Sequence, residues 1–161
     1  MCSGCRGPIE DLDNCTKFHH TWGDFAKMTI ETTTSVKQLV EEANAEIETL
    51  PVENAISMHT DTDVVVVDLR DVRELAHDGK VPGCFHMPRG MLEFWLDPES
   101  PYFKEVFHQD KRFIFYCSKG WRSALATQTA QRMGLKRVCH IDGGFEAWRE
   151  AGGPIKTQEN K

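Results

Sequence analysis

The sequence predicts an α/β protein built on a doubly wound parallel sheet. Three observations carry that expectation. Short β-branched or aromatic runs, Val64–Val67 and Arg112–Tyr116, are apolar without alternation. Such runs suit strands buried on both faces, as in parallel sheets. Segments of helical spacing lie between them, and alternating strands and helices define the class. Glycine and proline punctuate the joints, at Gly79, Pro82-Gly83, Pro88, Gly134 and Gly143-Gly144.

The elements follow in order. Residues 1–35 are polar, rich in Gly, Asp, Asn and Thr, and show no sustained period. They read as a flexible N-terminal extension, and Met28 offers a second start. From Ser35, Val36, Leu39, Val40, Ala43 and Ile47 recur at spacings of three and four, which predicts a helix capped by Thr32–Ser35. Pro51 suits the first turn of a second helix reaching about Met58. Val64–Val67 is the first strand. Asp71–His77 is helical and stops at Gly79. Cys84–Met87 is a short strand closed by Pro88. Met91–Leu96 is a helix broken by Asp97-Pro98-Glu99-Ser100-Pro101. Arg112–Tyr116 is a strand, Ser123–Met133 a helix, Val138–Ile141 a strand. A last helix carries Phe145, Ala147 and Trp148. The expected division is an extension over 1–35, one domain over 36–153 and a tail over 154–161.

Composition narrows the function classes. At 161 residues, the chain would bury about 70% of its unfolded surface. It therefore needs no disulfide staples. The formal net charge is −6. No basic patch advertises nucleic acid, and an anionic membrane is disfavoured for the same reason. No apolar run approaches the length of a bilayer span, and no secretory leader is visible. The expectation is a cytoplasmic protein with six free thiols, at positions 2, 5, 15, 84, 117 and 139.

The chemistry concentrates in Cys117-Ser118-Lys119-Gly120-Trp121-Arg122-Ser123, directly after a strand and directly before a helix. A cysteine there meets unpaired amides and the positive end of a helix dipole. Both favour the thiolate, the reactive form. Gly120 relaxes the backbone, so that successive N–H groups can form an anion-binding concavity. Lys119 and Arg122 add positive charge. The parts describe a cysteine nucleophile in an anion cradle. The plainer reading, a buried cysteine closing a strand, does not account for the loop around it.

On these residues the sequence resembles the single-domain rhodaneses, a sulfurtransferase family, over about residues 36–153. The motifs are Val67-Asp68-Leu69-Arg70-Asp71 with Glu74-Leu75, Gly79–Pro88, and the Cys117–Arg122 loop with Asp142-Gly143-Gly144-Phe145-Glu146-Ala147-Trp148. Lys80 departs from the family's usual His, and Trp121 is unusually bulky for the loop. The stretch Arg89–Trp95 through Tyr102-Phe103 resembles a longer bacterial subgroup.

The resemblance implies a rhodanese-like five-stranded parallel sheet with helices on both faces. It implies that Cys117 takes a sulfane sulfur from a small anionic donor such as thiosulfate and passes it to a thiol, cyanide or a protein acceptor. Ser118, Lys119, Gly120, Trp121, Arg122 and Ser123 would bind substrate, and no cofactor is implied. The loop counts six residues from Cys117 to Arg122. The related phosphatases and arsenate reductases carry one more, so phosphate chemistry is the weaker reading. A persulfide carrier that docks a protein partner is the alternative.

The remaining candidates divide evenly or plainly. Asp68 and Arg70 end a strand, either tuning the site or forming a structural ion pair. Cys84, Cys139, Trp95 and Trp148 read as core, and His86 and His140 as structural histidines. Cys2, Cys5, Cys15 and His19, with His20 as rival, spell C-x2-C-x9-C-x3-H. That set would suit zinc, but the spacing fits loosely and Cys2 is terminal, so no metal is assigned.

Overall fold

The computed structural model of the chain describes residues 32–157. The cysteine–histidine cluster at residues 2–19 lies outside the described residues. Helix α1 spans Val36–Glu46, and its N-cap Ser35 accepts a hydrogen bond from the Gln38 amide. Strand β1 (Glu48–Leu50) and helix α2 (Val52–Met58) follow. Strand β2 is Val64–Asp68, α3 Val72–Asp78 and β3 Phe85–His86. A 3-10 turn at Arg89–Met91 leads into α4 (Leu92–Leu96), and another occupies Glu105–His108. Strand β4 (Arg112–Tyr116), helix α5 (Trp121–Arg132), strand β5 (Val138–Ile141) and helix α6 (Gly144–Glu150) complete the order.

The five strands form one sheet in the order β1-β5-β4-β2-β3, with every pairing parallel. The expected five-stranded parallel sheet is therefore present. Its fifth member, β1, comes from Glu48-Thr49-Leu50, which carries no apolar run. It is an edge strand of three residues with only Leu50 buried, so its pattern has little to show. Two boundaries also move. Helix α5 starts at Trp121 rather than Ser123, and β3 shrinks to two residues.

Both sheet faces are covered. On one, Val67, Phe113, Phe115 and Cys117 pack with Ala126 and Ala130 of α5, Leu92 of α4 and Phe107. On the other, Val66, Ile114, Tyr116, Cys139 and Ile141 pack with Ala55 of α2 and with Phe145 and Trp148 of α6. Helix α1 lies outside α5 through Val40 and Ala43 against Ala124. Alternation along the strands decides these sides. It puts Cys117 on one face and Cys84 and Cys139 on the other, so neither thiol can resolve a disulfide with Cys117 without remodelling the sheet.

The pairing register places Asp68 of β2 beside Tyr116 of β4. Cys117 is thus the first residue beyond the carboxyl end of the middle strand. Open α/β sheets place their crevices at that end. No helix of the described residues is long and apolar enough to cross a membrane.

Candidate active site

Cys117 is buried at the floor of a cavity of about 360 Å³. Ser118, Lys119, Trp121 and Arg122 line the walls. Of the expected binding residues, Gly120 and Ser123 stand apart from this lining. Gly120 has φ +91° and turns the chain into α5, a conformation that side chains with a Cβ resist. Ser123 is fully buried behind the loop.

The loop is shaped from outside by the start of α6. The Phe145 amide donates to the Cys117 carbonyl at 2.7 Å, and the Glu146 amide to the Ser118 carbonyl at 3.0 Å. A trans peptide holds C=O and N–H in opposite directions. Fixing these two carbonyls on α6 therefore turns the Ser118 and Lys119 amides the other way. Among the described residues, no acceptor meets the amides of residues 118–123. The α5 helix adds its positive end at the same place. Gly144 makes the approach possible. A Cβ there would stand 2.5 Å from the Cys117 carbonyl oxygen and 2.8 Å from that of Ser118.

The charges are less free than the sequence suggests. Arg122 forks onto Glu74 with bonds of 2.8 and 2.7 Å. The hydrogen bond to Glu74 raises the arginine's pKa, and the bond to Arg122 lowers that of Glu74. Lys119 lies 3.7 Å from Glu146 and is 71% exposed. Glu74 is the residue sequence reasoning overlooked at the site. It stands in the quoted motif, and its helix-start pattern with Asp71 was the available signal. Its side chain also accepts from the Asp71 amide, completing a capping box for α3.

Asp68 and Arg70 do not line the cavity. They form a buried bidentate pair, and Asp68 also accepts from the Tyr116 hydroxyl and the Arg70 amide. The guanidinium donates to the Gly79 carbonyl at 2.7 Å and lies 3.9 Å over the Phe145 ring. The pair stands apart from the cavity lining, and the field of Arg70 reaches Glu74 and helps lower its pKa. Burial first, then Asp68, pushes the Tyr116 phenol up. Burial also raises the Cys84 and Cys139 thiols, away from the reactive thiolate form. His86 is bonded to the Arg70 carbonyl, a structural role. Trp121 stands at the cavity lip, 55% exposed. It walls the mouth without filling it.

The fold and the loop define an α/β protein with a buried cysteine at the head of a loop whose amides meet no acceptor among the described residues. A model of the rhodanese-like domain matches residues 52–151, and the chain belongs to that family. It is 31% identical over 97 residues to the mouse thiosulfate sulfurtransferase/rhodanese-like domain-containing protein 3, covering 57% of this chain and 62% of the mouse protein. The chain thus spans less than two thirds of that relative. A solved structure from Rhodopseudomonas palustris, of unknown function and called a possible tyrosine phosphatase, is 57% identical with a TM-score of 0.78. The match covers 80% of this chain and 99% of that one. The polysulfide-sulfur transferase homodimer of Wolinella succinogenes is 30% identical with a TM-score of 0.59, over 77% and 88% of the two chains.

Proposed function

We propose that the protein is a sulfurtransferase that carries a sulfane sulfur on Cys117. One observation bears most of the weight. A buried cysteine sits under a six-residue loop whose amides have no acceptor among the described residues. That arrangement suits a small, negatively polarised atom attached to the sulfur.

The reaction runs in two displacements. The Cys117 thiolate attacks the outer sulfur of thiosulfate. A new S–S bond forms, the donor's S–S bond breaks, and sulfite leaves with the electron pair. The amides of residues 118–122 hold the terminal sulfur of the persulfide. A thiolate or cyanide then attacks that sulfur, forming an acceptor persulfide or thiocyanate and returning the Cys117 thiolate. Lys119 and Arg122 assist by drawing the donor anion to the mouth, Arg122 in competition with Glu74.

Hydrolysis of a phosphate monoester is the second reading, favoured by the name attached to the Rhodopseudomonas structure. The same cysteine would then form a phosphocysteine. Intact mass after brief exposure to thiosulfate separates the two, with Cys117→Ser beside the natural chain. The expected gain is one sulfur, about 32 Da, lost to cyanide and absent in the variant. Hydrolysis of an aryl phosphate with no sulfur gain would reverse the assignment.

A further inference from the structure

Behind Cys117, three polar side chains join across an otherwise apolar layer. Ser123 Oγ lies 3.7 Å from Cys117 Sγ, 3.0 Å from the Gly120 carbonyl oxygen and 3.3 Å from His140 Nδ1. His140 Nε2 lies 3.1 Å from Thr49 Oγ1. Ser123 and His140 are buried, whereas Thr49 is exposed on the edge strand β1. The chain of contacts therefore runs from the sulfur to solvent without entering the cavity.

Counting protons constrains this chain. Each hydroxyl brings one proton, and a neutral imidazole brings one. Burial holds His140 neutral, its pKa pushed down to about 4 against an opposing pull from Asp142. A thiolate at Cys117 can only accept. Ser123 then has one proton for two acceptors, and the charged sulfur is the stronger of them. With that proton on the sulfur, the contact between Ser123 Oγ and Nδ1 requires the ring to donate. Nε2 must then accept from Thr49. With a neutral thiol the S–H donates to Ser123 Oγ, and where the hydroxyl then turns to Nδ1 rather than to the Gly120 carbonyl the ring carries its proton on Nε2.

We propose that His140 is a positioning residue for Cys117. Through Ser123 it aims one O–H at the thiolate, and its ring moves its proton from Nε2 to Nδ1 as the thiol ionises. The protons balance. The thiol proton passes to Ser123 Oγ, the Ser123 proton to Nδ1, the Nε2 proton to Thr49 and the Thr49 proton to a solvent water. Only the S–H bond is lost overall, and the ring stays neutral throughout. The inference takes Cys117 as the reacting sulfur, as the proposed function does, but tests it without sulfur transfer.

The test is alkylation of Cys117 by iodoacetamide between pH 5 and 10, read by peptide mass. The natural chain is compared with Ser123→Ala, His140→Leu and His140→Asn. The other charges about the sulfur and the ring are Arg122 with Glu74, Lys119 with Glu146, and Asp142. All are kept in each variant. Losing a hydrogen bond to a charged sulfur moves the midpoint up by about one pH unit, or about tenfold in rate below it. Ser123→Ala and His140→Leu show this shift, while His140→Asn keeps a donor and stays near the natural midpoint. Equal midpoints in all four proteins overturn the proposal, as does a shift common to the Leu and Asn variants. Nitrogen-15 spectra of the natural protein add a measurement free of folding defects. The His140 proton moves from Nε2 to Nδ1 across the Cys117 titration, and an unchanged tautomer overturns the assignment. A sulfurtransferase that fails this test keeps its thiosulfate mass gain, so the two failures are distinguishable.

Discussion

Arg122 gives both terminal nitrogens of its guanidinium to the two carboxylate oxygens of Glu74, at 2.8 and 2.7 Å. The arginine that closes the Cys117 loop is thus already paired before any donor arrives. The same carboxylate caps α3. The mouth of the cavity is consequently less positive than its two cations suggest.

Glu74→Gln releases that charge while keeping a residue the capping box accepts. Restoring one nearby charge is worth roughly 1 kcal/mol toward an anion in partly screened surroundings. The thiosulfate KM is expected to fall about fivefold, with a smaller change in kcat. Steady-state kinetics over a range of thiosulfate concentrations reads this. An unchanged KM would mean that Arg122 does not meet the donor.

Gly144→Ala tests how the loop is held. Gly144 has φ +62°, and an added Cβ would also stand 2.9 Å from the Gly120 nitrogen. All three of its near neighbours are backbone atoms of the Cys117 loop, so the loop must shift. Strain of this kind costs about 1–3 kcal/mol. Misplacing reacting groups by an ångström lowers rates by about a hundredfold. Sulfur loading should fall on that scale while circular dichroism keeps the α/β signature.

The Asp68–Arg70 pair predicts the opposite separation. Arg70→Ala strands a buried carboxylate, a change that costs about 3–5 kcal/mol. Tyr116→Phe removes the hydroxyl that donates to Asp68 and accepts from the Val81 amide, and costs about 1–3 kcal/mol. Urea unfolding measures both. The folded Tyr116→Phe protein should load sulfur at close to the natural rate, because neither Tyr116 nor Asp68 lines the cavity.

His140 sets a pH dependence of stability. Its ordinary pKa is 6.5, and burial lowers it to about 4 in the folded protein. The unfolded chain therefore binds more protons between these values, and stability declines as pH falls from about 6.5 toward 4. The contribution is full above pH 6.5 and amounts to a few kcal/mol. Denaturation midpoints across this window should show a slope that His140→Asn lessens. Glu74 adds in the same direction at lower pH, because Arg122 depresses its pKa.

Much of this protein was legible along the chain. Four of the five strands showed as apolar runs, because parallel strands covered on both faces cannot afford alternation. The position of Cys117 between a strand and a helix was likewise local, as was the Asp71–Glu74 cap. Strand β1 was not visible, because an edge strand of three residues buries only Leu50. The Lys119 and Arg122 charges were legible, but their carboxylate partners were not. Glu146 and Glu74 are distant in sequence and meet the loop only through the packing of α6 and α3.

By itself, then, the sequence determined the α/β class, the order of its main elements and the cysteine loop, because periodicity and turn chemistry act between near neighbours. The tertiary structure alone decided which side of the sheet each thiol faces, how α6 turns the loop amides, and that Thr49, His140 and Ser123 line up behind Cys117. Those relations join β1, β5 and α5 across 91 positions between Thr49 and His140 and 17 between Ser123 and His140. Only parallel pairing of β1 with β5 and the packing of α5 close such distances.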